Sequence, residues 1–175
     1  MQHIETVVVG SGGAASITFS AIAADWTDLL VVLSLRSDSG GSVRYRLNNQ
    51  VGSFYTMRTL NGSGSSASSA SEAIGAFNSG WAGGITTPSF TASTFASTQF
   101  YLPNYLSSAQ KSISIEGLRE NNATATLMSI IAGLSTITDS VNRLDFFPDS
   151  GSFVEHSSAS LFGITAGSDG TTTVS

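Results

Sequence analysis

Residues 25–37, Asp-Trp-Thr-Asp-Leu-Leu-Val-Val-Leu-Ser-Leu-Arg-Ser, are the stretch from which the fold of this chain can be inferred. The apolar run from Leu29 to Leu33 is unbroken, with an Asp/Thr turn before it and Ser-Asp-Ser-Gly-Gly after it. Such a run predicts a strand that is buried on both faces. It is too short to span a membrane, which takes about 20 apolar residues. We therefore expect it to be the central strand of the core.

Short runs with strand character flank this stretch on both sides. Residues 4–9 and 15–20 are separated by Gly-Ser-Gly-Gly, which predicts a hairpin or a tight sheet corner. Further runs lie at residues 43–47, 54–60, 94–102, 111–116, 142–148 and 153–164. Roughly ten short strands with turn signals between them predict an all-β fold, an antiparallel β-sandwich of the jelly-roll type. We expect a single domain over residues 1–165, followed by a polar C-terminal tail, residues 166–175.

Two segments are harder to interpret. Residues 61–71, Asn-Gly-Ser-Gly-Ser-Ser-Ala-Ser-Ser-Ala-Ser, contain nothing large and apolar to pack, so we expect a long loop within the domain, ordered by a neighbouring chain. Residues 124–134 could form a helix, because four of their apolar residues would share one helical face. The Thr-rich flank, Gly133 and the all-β surroundings favour a buried strand instead.

The composition limits the classes of function. Only 11% of the residues are charged, whereas about a quarter is usual. A soluble domain so poor in charge must cover its surface with Ser, Thr, Asn and Gly or bury that surface against neighbours. The second option suits a subunit of an assembly. The net charge of -5 argues against binding to nucleic acid, which rests on clustered Lys and Arg. The absence of Cys excludes disulfides and thiolate sites.

The sequence contains no pattern that is typical of catalysis. His3 and His156 are far apart, and His156 is flanked by Glu155 and two serines without a nucleophile in a strand-turn-helix elbow. Two dispersed histidines give no metal-ligand spacing, and the acidic residues form no calcium-loop pattern. We therefore expect no enzymatic activity, no metal and no cofactor.

Two groups of residues are candidates for contact with a partner. Arg44, Arg46 and Arg58 could lie on neighbouring strands and form a small basic patch for an acidic partner subunit, or they could be ordinary solvated charges. Trp81, Tyr101 and Tyr105 could form a platform on which sugars stack, although core packing explains these aromatic residues equally well.

Several segments carry a resemblance to a known group of proteins. They are Asp25-Trp26-Thr27-Asp28-Leu29 leading into residues 32–37, then Tyr45-Arg46-Leu47-Asn48, then residues 54–62 before the Ser-rich segment, and finally residues 155–164. In these segments the chain resembles small virion structural proteins of tailed bacteriophages, often marine or cyanobacterial. Members of that group serve as capsid decoration proteins and as parts of tail fibres.

The resemblance implies a β-sandwich subunit in an oligomer, often a trimer, and we expect it on the capsid exterior without enzymatic activity. We expect a capsid decoration (cement) protein that forms a homotrimer, binds the major capsid protein and stabilises the shell, with no nucleic acid or membrane as partner. The alternative is a receptor-binding subunit of the tail fibre or baseplate that recognises a glycan. A glycan hydrolase is a third, more remote hypothesis.

Overall fold

The computed structural model describes residues 1–73, 78–120 and 127–165. All regular secondary structure in these ranges is β-strand. The strands are β1 (Gln2–Val8), β2 (Ile17–Phe19), β3 (Asp28–Leu35), β4 (Ser42–Leu47), β5 (Tyr55–Ser63), β6 (Ser66–Glu72), β7 (Gly80–Gly84), β8 (Ala96–Leu102), β9 (Lys111–Arg119), β10 (Leu127–Ser135), β11 (Leu144–Pro148) and β12 (Ser158–Ile164).

The strands form two antiparallel sheets. The larger has the order β1-β12-β3-β8-β9-β10-β5-β6, and the smaller has the order β2-β11-β4-β7. Strands β1, β12, β3 and β8 of the larger sheet and the four strands of the smaller sheet have the arrangement of an eight-stranded jelly roll. Among these eight strands the chain changes sheet at every step except from β4 to β7. The hairpins β5–β6 and β9–β10 are insertions that widen the larger sheet. The predicted antiparallel sandwich is therefore confirmed, and the glycine-rich segment between β1 and β2 is a sheet corner, not a hairpin.

The core lies between the two sheets and is joined across them by aromatic rings. Phe100 of β8 contacts Tyr45 of β4 at 4.9 Å and Phe146 of β11 at 5.3 Å between ring centroids, both edge to face. All three side chains are essentially inaccessible to solvent. Edge-to-face pairs of this kind add about 0.5–1.5 kcal/mol to the burial of the rings, so they fix the spacing of the sheets.

The central strand β3 is buried on one face only, and the prediction of two buried faces is wrong. Leu29, Val31, Leu33 and Leu35 point into the core, whereas Val32 on the other face is 39% exposed. β3 does lie inside the sheet, between β12 and β8. No further layer of the described chain covers the outer face of this sheet, so the outward side chains of the apolar run have no second core to pack against.

The serine-rich segment also differs from the prediction, because residues 61–71 are part of a hairpin and not of a long loop. β5 continues to Ser63, and β6 pairs with it in register from Ser63 opposite Ser66 to Met57 opposite Glu72. Gly64 begins the two-residue turn with φ 57°, the positive value that a type II′ hairpin turn requires at this position. Backbone hydrogen bonds to β5 order this segment within the chain itself.

The ambiguous segment before Leu134 is a strand, as predicted, but it is not fully buried. In β10, Ile131 and Gly133 face the core, while Met128 and Ile130 are exposed. Residues 121–126, which precede β10, and the predicted polar tail, residues 166–175, lie outside the described residues.

Candidate functional site

The outer face of the larger sheet carries an exposed apolar surface centred on β10. Every outward side chain of this strand between Met128 and Leu134 is apolar, because Ile130 and Ala132 lie between them on the same face. Leu60 of β5 lies directly opposite Ile130, and Leu118 of β9 lies directly opposite Met128. We call Leu60, Leu118, Met128, Ile130 and Leu134 the β10 patch.

The members of the β10 patch are unusually accessible for large apolar side chains. Leu60 is 56% exposed, Leu118 50%, Met128 61% and Ile130 54%. Single exposed apolar residues are normal on protein surfaces, whereas a contiguous group of them marks an interaction site. These four side chains lie on three adjacent strands as two directly opposed pairs, so they form a group.

The outer face is uneven, so side chains of another surface could fit into its depressions. A depression of about 160 Å³ lies between β9 and β10, lined by Leu118, Met128 and Ile130 among others. A second one of about 160 Å³ lies between β10 and the β5–β6 hairpin, where Leu60 contributes to the lining. The β10 side chains therefore form a ridge with a groove on each side.

One charge of each sign flanks the ridge. Arg58 of β5 is exposed and lies opposite Ala132, while Glu116 of β9 is exposed and lies opposite Ile130. β10 separates the two residues, which puts their strands about 10 Å apart. The Arg58 guanidinium donates one hydrogen bond, from Nη1 to the Met57 carbonyl at 2.9 Å. The face is thus apolar in the middle, positive on one flank and negative on the other.

Arg44, Arg46 and Arg58 do not lie on neighbouring strands, so of the two alternatives the basic patch is not formed. Arg44 and Arg46 lie on β4 in the smaller sheet, whereas Arg58 lies on the outer face of the larger sheet, because the chain crosses between the sheets after β4. Arg44 forms an ion pair with Glu72 at 3.4 Å. The Arg46 Nε donates to the Asn78 carbonyl at 3.1 Å, and its guanidinium lies 4.5 Å from the centre of the Phe147 ring.

The three predicted aromatic residues also lie apart. Trp81 is on β7 of the smaller sheet, partly buried, and Tyr101 is on the outer face of the larger sheet. The Tyr101 hydroxyl donates to Asp28 Oδ2 at 2.8 Å, and this hydrogen bond raises the pKa of Tyr101. Tyr105 is inaccessible and donates its hydroxyl proton to the Ala23 carbonyl. These residues therefore cannot form one platform for a sugar.

Other polar groups that could support chemistry have structural partners. The Lys111 ammonium is buried and donates to the carbonyls of Ser107 and Ala109, both at 2.6 Å, and burial lowers the pKa of Lys111. Arg143 forms an ion pair with the buried Asp145 at 2.7 Å, and this hydrogen bond raises the pKa of Arg143.

The histidines and acids of the described ranges do not assemble into a metal site. Both His3 and His156 are exposed, and within residues 1–73, 78–120 and 127–165 no three His, Asp or Glu side chains are grouped for a metal ion. The same ranges contain no helix that is long and apolar enough to cross a membrane.

Sequence reasoning missed the β10 patch. The available signal was that β5, β9 and β10 place apolar residues at positions that should face solvent in a two-layer sandwich. Assigning β10 as a buried strand concealed this signal.

Comparisons with protein-family models, with curated proteins and with solved structures found no match for the chain.

Proposed function

We propose that this protein is a non-enzymatic structural subunit of a virion, a capsid decoration protein that oligomerises on the outside of the head and stabilises the shell. The observation that carries the proposal is the β10 patch, a contiguous apolar surface on the outside of a jelly-roll subunit. An apolar surface of this kind becomes stable when another protein covers it, as happens in an assembly.

The charge content supports the same role. Only 11% of the residues are charged, and the ion pairs Arg44–Glu72 and Arg143–Asp145 use four of those charges internally. Surface contacts of such a subunit depend on apolar area and on hydroxyl and backbone groups. The virion setting itself comes from the resemblance to phage structural proteins, with the major capsid protein as partner and a homotrimer as the expected oligomer.

The receptor-binding alternative would place the protein in the tail fibre or baseplate, with a glycan as ligand. Its predicted platform of Trp81, Tyr101 and Tyr105 is divided between two sheets and the core. No other group of exposed aromatic side chains in the described residues replaces that platform. The structure therefore gives this alternative less support than it gives the assembly role.

The number of copies per particle tests the proposal. A decoration protein coats the head in many copies, so particle reconstruction or immunogold labelling should detect it at regular positions over the shell. Particles that lack it should lose resistance to heat or osmotic shock, because the buried area that holds the shell is lost. A few copies confined to the tail would contradict the proposal and favour receptor binding.

A further inference from the structure

We propose that the β10 patch is the surface through which copies of this chain bind one another, around a rotation axis that runs along β10. This inference deepens the proposed function by naming the oligomer interface. Its experiments use the isolated chain. The inferred interface can therefore be wrong while the proposed location on the virion is right, and it can be right while that location is wrong.

The arrangement of charges is the reason to choose a further copy as the partner. On one face, Arg58 lies on the β5 side of the ridge and Glu116 on the β9 side. Rotation about an axis parallel to β10 places the β5 side of one copy beside the β9 side of the next. Each Arg58 then approaches the neighbouring copy's Glu116, so the face is complementary to itself. A closed rotational arrangement of this kind is the usual form of homo-oligomers.

The apolar residues occupy the position that this arrangement requires. Ile130 lies in the middle of the ridge, with Leu60 beside it and Met128 above it, so these side chains of successive copies would meet at the axis. The two grooves beside the ridge, about 160 Å³ each, would receive side chains of the neighbouring ridges. Exposed apolar area would be removed from water at the centre, and the charges would lie at the rim, as in known interfaces.

The face is large enough for a stable contact. The outward face of β9, β10, β5 and β6, over about seven residues of each strand, spans about 19 by 23 Å, or roughly 440 Å² of flat footprint. Side-chain relief makes the accessible area larger than the footprint. A standard interface buries about 800 Å² of accessible surface on each partner, so the flat footprint alone is a little over half of one.

The first experiment measures the mass of the purified chain in solution by light scattering or sedimentation. We expect two or three times the chain mass of 18.0 kDa, since an axis along β10 accommodates either number. Ile130→Asp should reduce the mass to that of one chain. Val51→Asp is the matched control, because Val51 is 54% exposed like Ile130 and lies outside the patch. Circular dichroism would verify that both variants fold.

The second experiment exchanges the flanking charges. Arg58→Glu or Glu116→Arg places like charges together at the interface and should weaken self-association by about tenfold or more. The double variant Arg58→Glu/Glu116→Arg should restore it. Because β10 separates the two residues within one copy, such a rescue reports contact between copies. A wild-type chain that stays monomeric at its highest soluble concentration, or an oligomer that Ile130→Asp leaves unchanged, would overturn the proposal.

Discussion

Gly80 of β7 lies against the ring of Tyr45, its cross-strand neighbour on β4, so closely that a methyl group at Gly80 would overlap the phenol. Tyr45 is one of the largest fully buried side chains, and its ring also contacts Phe100. The absence of a side chain at one strand position therefore makes room for an aromatic ring that joins the two sheets.

Gly80→Ala should destabilise the fold for this reason. The added methyl group must displace the Tyr45 ring or the backbone of β7, and overpacking of this kind costs about 1–3 kcal/mol of unfolding free energy. Chemical denaturation monitored by tryptophan fluorescence would measure it. Gly12→Ala is the control, because nothing lies within 4 Å of a Cβ at Gly12, and its effect should stay within about 0.5 kcal/mol. Equal effects of the two substitutions would contradict the packing argument.

Stability should fall in alkaline solution because of buried tyrosines. Burial is the main reason that the pKa of Tyr55 rises to about 12 in the folded chain, whereas an exposed tyrosine has a pKa near 10. Between about pH 10 and pH 12 the unfolded chain has lost this proton and the folded chain still holds it. The free energy of unfolding therefore decreases as the pH rises through this window and is unaffected by Tyr55 below it.

Denaturation curves collected from pH 8 to pH 12 would measure this slope. Burial raises the pKa of Tyr45 as well, so its contribution has the same sign. Tyr55→Phe should reduce the slope, although it also removes the hydrogen bonds of the hydroxyl with Leu47 N and the Gln50 carbonyl, both 3.1 Å. A slope that Tyr55→Phe leaves unchanged would mean that Tyr55 does not titrate in this range.

The two faces of β3 should respond differently to the same substitution. Val31→Asp places an unpaired carboxylate in the core, where Val31 has no exposed surface, and should abolish soluble folding. Val32→Asp, one residue further on, places it on the outer face and should leave a folded protein. Soluble expression and circular dichroism would distinguish the variants. Failure of both to fold would indicate a second covered face.

This pair of valines also shows how far the sequence predicts the structure. Alternation in β9 and the turn signals between the runs predicted a sandwich, because a strand with one buried face needs a period of two. β3 and β10 break the alternation, since both of their faces are apolar, and a single sequence cannot distinguish a second core from an interface. The hairpin turn at Gly64 was concealed by a Ser-rich composition that is typical of loops, although Gly-Ser is a recognised hairpin turn.

The arginines were misplaced for a topological reason. Arg46 and Arg58 are twelve positions apart and lie on consecutive strands, so pairing of those strands was the simplest expectation. β5 belongs to an inserted hairpin at the far edge of the larger sheet, so β4 and β5 lie in opposite sheets although they are consecutive. A local pattern predicts which face of a strand is polar, and only the connectivity determines which polar faces meet.

High salt should distinguish the contribution of charges to the proposed interface from the contribution of apolar burial. At 1 M NaCl the screening length falls to about 3 Å, which weakens both the attraction between Arg58 and Glu116 and the repulsion that Arg58→Glu introduces. Apolar burial by Ile130 and Met128 does not depend on that screening. The wild-type oligomer should therefore persist at 1 M NaCl, and Arg58→Glu should regain much of its self-association there. Ile130→Asp should stay monomeric, since salt cannot restore a missing apolar contact.

Sedimentation of the three proteins at low and high salt would measure these outcomes. Dissociation of the wild type at high salt would show that charges and not the β10 patch hold the copies together.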